Sequence, residues 1–121
     1  MKNTIILYVL FAFIITCIAL TPVVSAETVE DNYKLYCTQC HGLNGNGMGI
    51  NKVDMPTTPR DHTNTEEMAK LSDKNIYQAI RDGGAAVSKS SLMPPWKGVM
   101  TDPEINDMVK YLRKLCNCKE R

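Results

Sequence analysis

Cys37-Thr38-Gln39-Cys40-His41 is the stretch on which the reading of this chain turns. Two cysteines three residues apart, followed at once by a histidine, fit the C-x-x-C-H pattern of covalent haem attachment. Residues three and four apart on a helix lie on one face, so Cys37, Cys40 and His41 project the same way. The two thiols then meet the vinyl groups of one haem as thioethers, and the neighbouring imidazole becomes the proximal iron ligand. A thioredoxin-like dithiol needs a preceding strand and a βαβ pattern, and neither is found around Cys37. A zinc site needs two further ligands; Cys116, Cys118 and His62 are available, but their C-x-C spacing is unlike the usual zinc pairs.

The rest of the chain narrows the class. Its 121 residues make one small domain, too short for a two-domain dinucleotide enzyme or an eight-stranded barrel. With 14 Lys plus Arg against 13 Asp plus Glu, it lacks the basic excess that nucleic-acid binding requires. A hydrophobic content of 44% argues against disorder. Lys2, the apolar run from Ile5 to Leu20, Pro22 and the small residues Val24-Ser25-Ala26 read as a secretory signal over residues 1–26, with the mature chain starting at Glu27. The competing reading is an uncleaved anchor over Ile5–Val24. Thr16 is a poor residue before a lipidated Cys17. Export implies a periplasmic or otherwise extracytoplasmic protein in which Cys37, Cys40, Cys116 and Cys118 remain.

The second axial position decides between electron transfer and small-molecule chemistry. Met48 follows His41 too closely in a glycine-rich loop to pass round the haem edge, whereas Met68 and Met108 read as core positions on helix faces. Met100 precedes the capping box Thr101-Asp102-Pro103-Glu104 and forms a hydrophobic staple with Ile105. Met93, in Ser91-Leu92-Met93-Pro94-Pro95-Trp96, sits in a loop stiffened by two prolines and suited to presenting a thioether. It is the expected distal ligand, and Met55 before Pro56 is the fallback. His62, in a polar segment, reads as a solvated loop histidine rather than a ligand.

The periodicity predicts an all-α domain over residues 27–115. Helices are expected at Val29–His41 behind Thr28, at Thr65–Leu71, at Asp73–Arg81 with Ser72 as cap and Gly83-Gly84 as stop, and at Asp102–Leu115. In the last, Ile105, Met108, Val109, Leu112 and Leu115 form one inward stripe. A core this small leaves the haem itself to supply much of the buried surface, so the apoprotein should fold poorly.

From about Tyr33 to Leu115 the chain resembles the class I monohaem c-type cytochromes, and within them the small bacterial soluble electron carriers. The resemblance rests on Tyr36–Gly42 with its Gly-rich sequel, Ala79–Gly84, Leu92–Trp96 and the closing Tyr111-Leu112-Arg113. It implies a cytochrome c fold of four to five helices, the first and last crossing, around one covalent haem c held at Cys37 and Cys40 and ligated by His41 and Met93. It also implies a proline carbonyl, of Pro56 or Pro59, accepting a hydrogen bond from the proximal imidazole. The expected function is that of a one-electron carrier, not an enzyme, cycling Fe(III)/Fe(II) between membrane or soluble redox proteins acting as donor and acceptor. Membrane contact is expected only through a partner or an uncleaved N-terminal segment. The alternative is a haem enzyme or gas-ligand sensor with a displaceable sixth ligand.

Residues 116–121 depart from the family pattern by adding Cys116 and Cys118. A disulfide within this tail, a crosslink to a partner and metal binding are the readings available. Lys89 and Lys97 flank the Met93 loop and are candidates for steering an acidic partner.

Overall fold

A computed structural model of the chain describes residues 27–120 together with Ile6. The signal or anchor segment expected over residues 1–26 therefore lies almost wholly outside the described residues. Among the described residues there is no strand, and no helix is long and apolar enough to cross a membrane. The elements are α1 (Val29–Tyr36), α2 (Thr38–His41), a 3-10 turn at Ile50–Asp54, α3 (Thr65–Ala69), α4 (Asp73–Asp82), a second 3-10 turn at Gly84–Val87, and α5 (Asp102–Leu115).

The helix starts follow from side chains that accept or donate to otherwise unpaired backbone groups. The Asp31 amide donates to Thr28 Oγ1 at 3.2 Å, and the Thr28 amide donates to Asp31 Oδ2 at 3.3 Å. Ser72 Oγ accepts from the Asn75 amide at 3.0 Å. At α5 the Thr101 amide and hydroxyl both donate to Glu104 Oε2, at 2.7 and 2.6 Å. Met100 and Ile105 are both buried beside this cap, in the positions of a hydrophobic staple.

Two boundaries differ from expectation. The segment expected as one helix over Val29–His41 is interrupted at Cys37, although Cys37 keeps a helical backbone conformation and accepts from the His41 amide at 2.9 Å. The three motif residues therefore still share a face. α3 ends at Ala69 rather than Leu71, and Arg113 binds the carbonyl oxygens of the junction that follows. Its Nη1 donates to Met68 O at 2.7 Å, its Nη2 to Leu71 O at 2.6 Å, and its Nε to Asp73 Oδ1 at 2.7 Å.

α5 packs against both α1 and α4. Ile105, Met108, Val109 and Leu112 meet Tyr33, Met68, Ile76 and Ile80 in one core cluster. Leu115, expected on the inward stripe, packs at its partly buried margin. Arg113, with only 12% of its side chain exposed, joins the end of α5 to the α3–α4 junction. Charge-assisted bonds of this kind are costly to lose when they leave buried carbonyls unpaired. Arg113→Ala should therefore destabilise the domain by about 3 kcal/mol in denaturant unfolding. Arg113→Lys should recover only part of that, since an ammonium cannot reproduce the three-way fork.

Candidate haem site

The motif carries Cys37, Cys40 and His41 to one wall of a cavity of about 730 Å³. Met93 lies on the lining of the same cavity, as do Met55 and Met68. The volume falls within the range of cofactor sites, and Ile76, Ile80 and Leu112 are among its lining residues.

The motif wall is set by backbone geometry. The Gly47 amide donates to His41 O at 2.8 Å and the Gly49 amide to Cys40 O at 3.1 Å, so the glycine-rich loop folds back on the end of α2 and satisfies its carbonyls. A Cβ on Gly49 would strike the Gln39 and Cys40 carbonyls, which requires glycine there.

His41 Nδ1 donates to the Arg60 carbonyl oxygen at 2.9 Å. A carbonyl is only an acceptor, so the proton sits on Nδ1 and leaves Nε2 with its lone pair free, the tautomer a metal requires. Burial holds His41 below the ordinary histidine range, against the raising effect of the Arg60 carbonyl, and favours the neutral ring. The expected acceptor was the carbonyl of Pro56 or Pro59. It is instead that of Arg60, one residue beyond Pro59, because Pro59 itself lies against Gly47, its carbonyl directed at that glycine's open side.

His62 also departs from expectation. It is 7% exposed, not solvated. Its Nδ1 is 3.0 Å from the Tyr33 hydroxyl, and its ring stacks on that of His41 with centroids 4.1 Å apart and planes 18° from parallel. Burial, then the neighbouring His41 and Arg60, hold it well below the ordinary histidine range. A polar neighbourhood in sequence hid this position because its burial comes from Tyr33, which is far away along the chain. His62 lies flat against His41, on the same side of the cavity.

The Met93 loop lines the same cavity. The Gly84 amide donates to Met93 O at 3.0 Å, and a Cβ on Gly84 would collide with the Ser90 carbonyl. Beyond the two prolines, the Trp96 and Lys97 amides donate to Ile80 O and Arg81 O at 3.0 and 3.2 Å, capping the end of α4. Trp96 then packs on Tyr36, ring centroids 5.2 Å apart, which joins the loop to the segment leading into the motif.

Burial and the Cys40 thiol push the Cys37 thiol up to about 12, so it is a neutral thiol in an apolar wall. Cys37 and Cys40 are both free, whereas Cys116 and Cys118 are bonded to each other and not gathered with His62. Two thiols, a tautomer-fixed imidazole and a thioether round one cavity fit a covalently held haem.

Residues 24–112 match the family model described as cytochrome c oxidase, cbb3-type, subunit III. The chain belongs to this cytochrome c family. Its cofactor is accordingly haem c, its fold is the all-α cytochrome c fold, and its role is haem-based electron transfer. Among solved structures, the KustC0563 c-type cytochrome is 26% identical with a TM-score of 0.60, over 74% of this chain and 98% of that one. A chain of the Kuenenia stuttgartiensis reducing HAO-like protein complex Kustc0457/Kustc0458 is 27% identical with a TM-score of 0.57, over 78% of this chain. The present chain spans only 44% of that second structure's chain. Among curated proteins there is no significant match.

Tyr33→Phe removes the hydroxyl that pairs with His62 Nδ1 and leaves that nitrogen buried. This cytochrome should then lose about 2 kcal/mol in denaturant unfolding, while haem attachment is retained.

Proposed function

We propose that this cytochrome is a one-electron carrier in which Cys37 and Cys40 hold haem c as thioethers while His41 and Met93 take the axial positions. The observation that carries the reading is that Cys37, Cys40, His41 with its Nε2 left free, and Met93 all line one cavity. Haem iron, when bound, supplies the exchange of one electron between Fe(III) and Fe(II).

The chain's part is positional. The Arg60 carbonyl fixes the proximal ring against rotation, and the His62 ring backs it. Pro94 and Pro95, with the Gly84 amide on Met93 O, limit how far the thioether withdraws when the iron changes charge. Met93 is preferred to Met55 because its loop is bonded at both ends to α4 and its flank, while the preceding turn holds Met55 through its amide to Lys52 O. Export through residues 1–26 and work outside the cytoplasm belong to the same reading. So do redox proteins as donor and acceptor.

The relative from the HAO-like complex keeps a second reading in view, a haem enzyme or gas sensor with a displaceable sixth ligand. Absorption spectra of the purified protein, ferric and ferrous, with and without carbon monoxide, separate the two. A weak ferric sulfur-to-iron band and no carbon monoxide shift are expected. High-spin iron or rapid carbon monoxide binding would replace the carrier by the second reading. Met93→Ala should retain covalent haem, lose that band and bind carbon monoxide; persistence of the band would remove Met93 as ligand.

Lys89 is exposed beside the Met93 loop, and Lys97, also exposed, lies 3.3 Å from Asp82. Their charges are placed to steer an acidic partner. Changing both to Glu should slow reduction by the donor several-fold at low salt and little at high salt, and a salt-independent rate would rule the steering out.

A further inference from the structure

Cys116-Asn117-Cys118 has no part in the haem cavity, and its disulfide closes across a single residue. The two sulfurs stand in unlike surroundings. Cys116 caps α5, is 1% exposed, and has its Sγ 3.4 Å from the Arg113 carbonyl oxygen. Cys118 is only half-buried, and its Sγ lies 3.6 Å from Arg113 Nη1. Asn117 between them is exposed and holds φ of 47°, a left-handed conformation that Asn tolerates better than most residues. One sulfur is thus open to approach beside a permanent positive charge, and the other is enclosed against a hydrogen-bond acceptor.

We infer that Cys116–Cys118 is a thiol-exchange site, reduced by a dithiol that attacks Cys118. The first thiol of the reductant, as thiolate, bonds to Cys118 Sγ while the Cys116–Cys118 bond breaks. The electron pair of that bond goes to Cys116, which takes up the proton the reductant gave up and donates it as S–H toward the Arg113 carbonyl. The second thiol of the reductant then attacks its own sulfur in the mixed disulfide and closes a disulfide in the reductant. Cys118 is released with the electron pair, beside the Arg113 guanidinium that favours its thiolate. Two electrons pass in all, the reductant being oxidised and the tail reduced; of the two protons the reductant loses, one goes to Cys116 and the other, from its second thiol, goes to solvent while Cys118 stays a thiolate. The exchange is separate from the one-electron chemistry proposed for the haem.

The test uses the haem-loaded full chain under native, anaerobic conditions, with dithiothreitol as a small dithiol and reduced thioredoxin as a protein dithiol. N-ethylmaleimide labelling and intact mass are read over time, with peptide mapping to assign each label. Labels on Cys116 and Cys118, absent before reduction and two per chain after it, are expected with the covalent haem retained. Reduction by either probe supports the site, and the faster of the two identifies the class of reductant. No labelling until denaturant is added overturns it. Glutathione trapping provides a second check on the unaltered chain: the adduct is expected on Cys118, and an adduct on Cys116 overturns the assigned direction of attack. In the variants Cys116→Ser and Cys118→Ser, the remaining Cys118 should react with N-ethylmaleimide at least about ten-fold faster than the remaining Cys116. Equal rates would overturn the asymmetry on which the proposal stands.

Discussion

The hydrogen bond from His41 Nδ1 to the Arg60 carbonyl is the constraint on which the rest of this domain depends. It selects one tautomer, fixes the ring and draws the chain after Pro59 in behind the C-x-x-C-H segment. Once Arg60 is there, His62 two residues later must enter the interior, where it stacks on His41 and meets Tyr33. Tyr33 in turn packs on Tyr111, 5.2 Å between ring centroids, so the packing behind His41 is also the contact of α1 with α5. The contact of first and last helices and the orientation of a single imidazole are parts of one packing arrangement.

What was legible in the sequence was what is encoded locally. Thr28, Ser72 and Thr101 mark helix starts because a capping side chain reaches only two or three residues along the chain. The stripe on α5 and the stop at Gly83-Gly84 are equally local, and so is the face shared by Cys37, Cys40 and His41. The burial of His62 is not encoded locally, because it is supplied by a tyrosine on another helix. Arg113 carried no signal of its role either, since its three partners belong to the α3–α4 junction and become neighbours only after α5 has docked. The acceptor for His41 was misplaced by one residue, a shift decided by the close approach of Pro59 to Gly47.

The tail shows a different economy. α5 ends at Leu115 with Cys116 as its cap, beyond residue 112 where the family match stops. Yet the last turn is tied down several times: the Thr65 hydroxyl donates to Cys116 O at 2.7 Å, and the Asp73 amide donates to Glu120 Oε2 at 3.0 Å. Arg113 stands between these bonds and the disulfide. One guanidinium therefore serves both the carbonyls of the α3–α4 junction and the environment of a sulfur, which couples the mechanical integrity of the helix end to the chemistry beside it.

The Met93 loop leaves α4 at Gly83-Gly84 and returns to it, its Trp96 and Lys97 amides completing the hydrogen bonding of that helix's last turn. The intervening residues thus act as a ruler: their number sets where the thioether stands, and the same number lets the helix end without bare carbonyls. An insertion or deletion there would fray α4 in the act of moving the methionine. Variation in this stretch is therefore expected to proceed by exchange of side chains at constant length, with the exposed tips of the loop free to diversify for different partners while the spacing between glycine pair and tryptophan stays fixed.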